Sequence, residues 1–179
     1  MKRNLADFTP TLPQSMRRGL LFKSVSFLIM NIASRSFFFP NIIRLFLLKL
    51  AGVQLELNCR VKSRLVFWLP WNIWIGENTW IGEGVHLVAM ERITIGANVC
   101  ISQEAMLCAG SHDFNSSSFD YKNKPIIVED GAWIGARALI LPGVRIGKNS
   151  VIAAGEIVRT NIEPNTIRMN GKSTLIRES

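Results

Sequence analysis

Aliphatic residues recur at every sixth position along much of the chain. Stepping by six from Val128, each position holds isoleucine or valine, and small residues follow at fixed offsets. The positions are Val128, Ile134, Ile140, Ile146, Ile152 and Val158. Two earlier blocks have the same period: Ile75, Ile81 and Leu87, then Ile95, Ile101 and Leu107. A helix repeats every ~3.6 residues and a simple strand every two, so neither explains this pattern.

A period of six predicts an all-β body, a parallel β-helix in which short strands meet at corners. The aliphatic residue points inward, the small residue after it permits a corner, and three hexads close one triangular coil. Each coil buries its apolar face only against its neighbours, so the stack folds as one unit. We expect this domain to cover residues 56–163, with roughly five coils of about 18 residues.

The hexad pattern is interrupted at length between Leu107 and Val128. Omitting about 15 residues restores the phase, which predicts one loop, residues 113–127, that protrudes from its coil. The segment is polar and contains one proline, as an exposed loop requires. His112 stands directly before it.

Residues 1–55 follow a different pattern, which predicts an N-terminal α-helical extension. The polar side of the first helix holds Lys23, Ser24, Asn31, Ser34 and Arg35, and the opposite side is apolar. Pro40 ends this helix, and a second one is expected over residues 41–50, before Gly52. No charge-free stretch approaches the ~20 residues of a membrane span, and no signal-peptide pattern is present. Residues 164–179 are expected to form a C-terminal tail.

Positive charge is concentrated in the same N-terminal region. Residues 1–50 hold eight Lys or Arg and one Asp, so they carry +7 of the total +8. Because these cations are interleaved with Leu, Ile and Phe, no nucleic-acid partner is expected. Two interpretations stay open: the helices lie peripherally on the inner membrane surface, or they cover the body of the protein or a subunit contact. Three cysteines without CxxC spacing favour a cytoplasmic location without disulfides or zinc.

The region after the first repeats carries a family resemblance. The run SHDF (111–114), the loop and PIIVEDGAWIGARALILPGVRIGKNSVIAAGEIV (125–158) resemble the hexapeptide-repeat acyltransferases, closest to their sugar O-acetyltransferase branch. Upstream, LLKLAGVQL (47–55) and ITIGANVCIS (93–102) resemble the colanic acid biosynthesis acetyltransferases more narrowly. The resemblance implies a left-handed β-helix and a homotrimer. It also implies active sites in clefts between subunits, each built from two chains, with acetyl-CoA extended along the cleft.

The resemblance makes His112 the expected catalytic residue. In this family the histidine removes the proton of an acceptor hydroxyl and later protonates the departing thiolate, a role that suits an imidazole near neutral pH. Its orienting partner is open among the Asp113 carboxylate, the Glu104 carboxylate and a backbone carbonyl. His86 is expected on the solvated surface, with acceptor contact as the alternative. Metal-dependent enzymes of this fold need three histidines and the chain has two, so no metal is expected.

Matching the family position by position also gives expected contacts to acetyl-CoA. Trp133 would lie near the acetyl and sulfur end. Four small residues would form a wall for the pantetheine arm: Gly135, Ala136, Ala153 and Ala154. Three cations would lie near the phosphates: Arg159, Lys172 and Arg177. The chain departs from the family pattern at Arg159-Thr160 and at NGKST (170–174).

The expected function is direct transfer of an acetyl group from acetyl-CoA to a sugar hydroxyl in surface polysaccharide biosynthesis, with a histidine general base. The acceptor partner is then a sugar or glycan. One alternative is an N-acetyltransferase for a nucleotide-linked amino sugar, on the same scaffold. A second alternative is a non-catalytic β-helix scaffold.

Overall fold

The computed structural model describes Phe8 and residues 18–35 and 38–176. Two helices come first, α1 (Leu20–Arg35) and α2 (Asn41–Leu50). A parallel β-helix follows, and its coils bury one continuous column of aliphatic side chains. The predicted fold class, a left-handed β-helix with an N-terminal helical extension, is confirmed.

Three sheets form the faces of the β-helix. Sheet A contains β1 (Gln54–Leu55), β4 (Ile73–Ile75), β7 (Ile93–Ile95), β10 (Ile126–Val128) and β13 (Arg145–Ile146). Sheet B contains β2 (Arg60–Val61), β5 (Trp80–Ile81), β8 (Cys100–Ile101), β11 (Trp133–Ile134), β14 (Val151–Ile152), β16 (Thr166–Met169) and the antiparallel β17 (Lys172–Leu175). Sheet C contains β3 (Val66–Trp68), β6 (His86–Val88), β9 (Met106–Cys108), β12 (Leu139–Ile140) and β15 (Ile157–Val158). Five full coils therefore precede a partial sixth.

The corners explain why small residues follow the aliphatic ones. A Cβ added at Gly76 would lie 2.7 Å from the Ala97 nitrogen, so the glycine is needed because the next coil passes close by. The left-handed backbone of the corner falls two residues later, on Asn78 at φ 58°. Asparagine tolerates this conformation better than most residues. Within one corner, Gly76 thus allows the next coil to pack closely, and Asn78 allows the chain to turn.

The protruding loop lies at the corner between sheets C and A. It covers residues 109–125, because β9 ends at Cys108 and β10 begins at Ile126. The predicted loop, residues 113–127, included Ile126 and Ile127, but the structure places both in β10. Adjacent strands in sheet A are 20 residues apart in the first coils, as in the pairing of Trp74 with Thr94. The length of the insertion was predicted from coils of about 18 residues, so the prediction made the insertion too long.

The ends of the β-helix also differ from the expected boundaries. Gln54 and Leu55 pair with β4 and belong to the first coil. At the other end, residues 166–175 form a hairpin whose first strand extends sheet B. Ile162, which bridges to Ile146, follows Val158 by four residues and not six, so the hexad step misses the sixth coil.

Helices α1 and α2 pack on the first coil with polar groups facing inward. The Ser26 hydroxyl donates to the Ala51 carbonyl at 2.7 Å, and the buried Arg44 donates to the Val61 carbonyl at 2.9 Å. Asn41 bonds the backbone of Cys59 and Val61. No helix in residues 18–35 or 38–176 is long and apolar enough to cross a membrane.

The outward faces of both helices are apolar. Their exposed large side chains are Leu20, Leu21, Phe22, Val25, Phe27, Leu28, Ile32, Ile42, Ile43, Phe46 and Leu50. Ser34, assigned to the polar side of α1, is buried, while Leu28 on the apolar side is 60% exposed. Ile29, on the same apolar side, packs against the core. Both interpretations of the helices, a membrane surface or a cover for the body or a subunit contact, therefore stay open.

Candidate active site

The protruding loop folds back on itself as two short antiparallel legs. Its base is closed by the Lys122 N–H, which donates to the Ser111 carbonyl at 2.8 Å, and its middle by the Asp113 N–H, which donates to the Asp120 carbonyl at 2.8 Å. His112 lies between these two bonds and bridges to Tyr121 on the opposite leg. The loop therefore holds His112 by backbone bonds on both sides.

A backbone carbonyl orients the His112 ring. Its Nδ1 lies 2.6 Å from the Phe119 carbonyl oxygen. A carbonyl oxygen only accepts hydrogen bonds, so Nδ1 carries the proton and Nε2 of the neutral ring is left with the lone pair. Phe119 has a φ of 56°, a left-handed conformation that is costly for a bulky residue and is typical of functional sites.

Aromatic rings surround the same imidazole. The Phe119 ring stacks on it, with centroids 4.0 Å apart and planes 9° from parallel. The Tyr121 ring lies 4.8 Å away, and Phe8 approaches edge-on at 5.7 Å. Phe119 thus fixes the ring twice, by its carbonyl in the ring plane and by its phenyl group on the ring face.

The two carboxylates considered as partners of His112 are engaged elsewhere. Asp113 accepts from the Asn115 N–H at 2.9 Å and pairs with Lys122; these contacts lower the pKa of its carboxyl. Glu104 accepts from Arg137 at 2.6 Å, and this bond lowers the pKa of the Glu104 carboxyl. Of the three candidates in the sequence analysis, the structure selects the backbone carbonyl.

His112 opens into a cavity of about 310 Å³ at the corner between sheets C and A. Its walls are largely apolar and come from three coils and the loop: Trp68, Val88, Met90, Cys108, Gly110, Ser111, His112, Tyr121 and Asn123. Small-molecule sites are commonly apolar clefts of this size with a few placed polar groups. The cavity therefore offers one base in a largely apolar pocket.

Asn123 is a polar member of this wall that the sequence analysis missed. Its Oδ1 accepts from the Ser111 N–H at 3.0 Å, next to His112. Its Nδ2 is buried and has no hydrogen-bond partner in the described part of the chain. A buried unpaired donor is costly, which makes this amide a candidate to bind a group that enters the cavity. No spacing in the sequence singles it out, because only the folded loop returns it to His112.

Trp133 lies on a different face from His112. It projects from β11 on sheet B, half exposed, and its Nε1 donates to the Ser102 hydroxyl at 2.9 Å. His112 lies at the corner between sheets C and A. One chain therefore does not bring these two predicted site residues together.

Four predicted contacts to the pantetheine arm lie where sheets B and C meet. Ala136 and Ala154 are stacked there in successive coils, since the Gly155 N–H donates to the Ala136 carbonyl at 2.8 Å. A Cβ added at Gly155 would meet nothing within 4 Å, so this corner is an open lane of small residues. Ala153 is half-buried beside them. Gly135 is buried, and a Cβ there would lie 2.5 Å from the Ala154 nitrogen, so its small size already serves coil stacking.

The three predicted phosphate contacts are spread over the C-terminal end. Lys172 begins β17, next to the turn where the Gly171 N–H donates to Glu156 at 3.0 Å. This places Lys172 near the lane of small residues. Arg159 is exposed at the corner between sheets C and A. Arg177 lies outside the described residues.

Acetyl-CoA fits this chain on structural grounds. The open lane suits an extended arm, because small residues let it approach the backbone closely, and Lys172 adds a cation at one end. Metal ligation has no counterpart: within the described residues, no three His, Cys, Asp or Glu side chains come together.

Comparisons with known proteins agree with the fold. Residues 125–159 match the family model described as "Hexapeptide repeat of succinyl-transferase". A protein of Escherichia coli strain K12, named as a colanic acid biosynthesis acetyltransferase, is 33% identical over 135 residues, which are 75% of this chain and 74% of that protein.

Two solved structures have the same fold. A galactoside acetyltransferase in complex with coenzyme A is 28% identical, with a TM-score of 0.79 over 91% of this chain and 84% of that one. A hexapeptide-repeat acetyltransferase from Vibrio cholerae has a TM-score of 0.80 at 24% identity, over 88% and 92% of the two chains. With these similarities over a β-helix of hexapeptide repeats, the chain belongs to the hexapeptide-repeat acyltransferases, in the group of the colanic acid biosynthesis and sugar O-acetyltransferases.

Proposed function

We propose that the protein transfers an acetyl group from acetyl-CoA directly to a sugar hydroxyl in surface polysaccharide biosynthesis, with His112 as the general base. The observation that carries this proposal is the 2.6 Å contact between His112 Nδ1 and the Phe119 carbonyl. It leaves Nε2 as the basic nitrogen in a largely apolar cavity. Acetyl-CoA supplies the acetyl group as a reactive thioester.

The proposed mechanism uses one proton and one base. Nε2 of His112 accepts the proton of the acceptor hydroxyl as its oxygen bonds to the acetyl carbon. The imidazolium, held by the Phe119 carbonyl, then gives that proton to the sulfur as the carbon–sulfur bond breaks. The proton taken from the acceptor hydroxyl thus ends on the coenzyme A sulfur, and no side chain of the enzyme is acetylated.

Thiol release from acetyl-CoA tests this function, with sugars, nucleotide sugars and lipid-linked oligosaccharides as acceptors. Loss of a general base costs about 100- to 10,000-fold, so His112→Ala should lose acceptor-dependent release while Asp113→Asn keeps it. A base-labile product identifies an ester, and a stable one an amide. Release that His112→Ala leaves unchanged would refute the role of His112, and absence of acetyl-CoA binding would favour a scaffold.

We place the complete active site between two subunits of a homotrimer. The support is the separation of Trp133 on sheet B from His112 at the opposite corner. If one chain supplies His112 and its neighbour supplies Trp133, then co-expressed His112→Ala and Trp133→Ala chains rebuild some intact sites. Random mixing in a trimer restores about a quarter of the wild-type sites. Mixed trimers without activity above the single variants would place both residues in one chain's site or remove Trp133 from it.

The same proposal places the protein peripherally on the cytoplasmic face of the membrane, through residues 1–50. The support is the apolar outward face of α1 and α2, together with the +7 charge of that segment. Sedimentation with anionic vesicles should carry the wild-type protein down, and Leu28→Asp should weaken binding. Leu175→Asp is a matched control, because Leu175 is also exposed but lies on the C-terminal hairpin. A protein that stays in solution while active contradicts the membrane assignment.

A further inference from the structure

A cavity larger than the one at His112 lies elsewhere in the described part of the chain. It is a groove of about 620 Å³ between α1 and the first coil. From α1 its walls include Phe27 and Met30; from the first coil they include Val66, Phe67, Trp68 and Trp71. Apart from Lys23, Ser26, Asn31, Ser34 and Arg64, these walls are apolar.

This groove and the His112 cavity share a wall. Trp68 lines both, and its side chain is 59% exposed between them. Val66, on the same strand and the same outer face as Trp68, lies in the groove. The two cavities therefore adjoin at Trp68 on the first coil, and the His112 cavity extends from there past Val88 on the second coil to Cys108 on the third.

The other side of the groove meets the exposed face of the helices. Phe27 lines the groove and is 72% exposed, while the next residue, Leu28, belongs to the outward apolar face. The groove thus lies between an apolar surface on one side and a base for hydroxyl groups on the other. Lys23 adds a cation on its rim, which suits an anionic linkage between an apolar and a polar part.

We infer that this groove binds the hydrocarbon tail of an amphiphilic acceptor, whose sugar then lies at His112. The inference rests on the proposed function and deepens it, since it makes the natural acceptor a lipid-linked sugar. Apolar walls stabilise a bound hydrocarbon tail, and each CH₂ that the tail buries raises the affinity about fourfold. Free sugars would use the His112 cavity and leave the groove unused.

Binding tests the groove apart from catalysis. The probes are n-octyl and methyl β-glucoside below the micelle concentration, without vesicles, with tryptophan fluorescence as the readout on the full-length His112→Ala protein. We expect the octyl probe to bind at least about tenfold more tightly than the methyl probe. Equal affinities would overturn the inference, whatever the outcome of the acetyl-transfer assay.

Two matched variants locate the binding. Val66→Trp fills the groove from its floor and should abolish the preference for octyl over methyl. Val25→Trp makes the same change on the outward face of α1, outside the groove, and should preserve it. Phe27→Asp keeps the inference falsifiable if the first variant misfolds, because this exposed residue should tolerate the change while a carboxylate repels the tail.

Turnover then joins the groove to the active site. For the acceptor sugar that the thiol-release assay identifies, Val66→Trp should lower kcat/KM for its octyl glycoside to that of the methyl glycoside. Activity on the methyl glycoside should not change. If both groove variants keep the preference for the octyl glycoside, the groove is not the tail site. The same conclusion follows if the preference depends on protein concentration, because the tail would then bind between two copies of the chain. If the wild-type protein turns over neither glycoside, the result would instead refute the proposed function.

Discussion

The β-helix and the α1–α2 pair differ in what they bury and in what they leave exposed. In the β-helix, aliphatic side chains point inward; Ile95, for example, is fully buried between Ile75 and Val128 of the neighbouring coils. In the helices, the polar Ser26, Ser34 and Arg44 are buried beside apolar residues such as Leu48, while large apolar side chains such as Leu28 are exposed. The β-helix is therefore stabilised by its own packing, whereas the helices leave large apolar side chains exposed on the surface of the single chain.

Equal truncations in the two regions should have unequal effects on stability. Ile95→Ala opens a cavity in the stacked core and should cost about 2–5 kcal/mol of unfolding free energy. Ile42→Ala on the outward face of α2 should change it by no more than about 0.5 kcal/mol. Urea unfolding at one fixed protein concentration measures both. Similar losses would mean that the outward face is buried in a stable assembly in solution.

The buried polar groups of the helices provide a second comparison. Arg44→Leu leaves the Ala33 and Val61 carbonyls without their donor and should cost about 1–3 kcal/mol. Lys49→Leu, on the exposed side of the same helix, is the matched control and should be nearly neutral. The same unfolding measurement separates them. A stabilising Arg44→Leu would show that the buried guanidinium does not contribute to the docking of α2.

Within the active-site loop, the phenyl group of Phe119 should matter more than the neighbouring carboxylates. Phe119→Ala removes a stacking contact of about 0.5–1.5 kcal/mol and should lower kcat about 2- to 10-fold. Asp113→Asn and Glu104→Gln should each change kcat less than about threefold, since neither carboxylate contacts His112. A larger effect of Asp113→Asn would restore the carboxylate as the orienting partner.

The smallest effect is the acid response of the loop. Hydroxyls of Ser116 and Ser118 lower the pKa of the Asp120 carboxyl, below the ordinary value of 3.8. A lowered pKa means that the ionised form stabilises the fold, so this contribution is complete above that ordinary value and is lost as pH falls through the folded pKa. Protection of the loop amides from hydrogen exchange, measured relative to their intrinsic rate at each pH, should fall only in that acidic range. In Asp120→Asn this pH dependence should be reduced, and its persistence would assign the acid response to another group.

The repeat made most of the fold predictable, and the loop made part of the site predictable. The hexad step from Val128 gave the triangular coils, and the interruption after Leu107 gave the protruding loop beside His112. The resemblance then made His112 the expected base. Asn123 and Phe119 were not predictable as its neighbours, because they meet His112 only where the loop folds back.

By itself, the sequence determined the direction of the coil interior, since a period of six leaves one consistent inward set of aliphatic residues. It also determined that α2 starts after Pro40 and ends before Gly52, because proline and glycine restrict or permit local backbone angles. Only the tertiary structure decided which face of α1 is buried, since inward hydrogen bonds such as that of Ser26 depend on distant carbonyls. It also decided the partner of His112, because the Phe119 carbonyl meets the ring only where the loop folds back. It decided the groove that meets the His112 cavity at Trp68, because α1 and the first coil are separate segments of the chain.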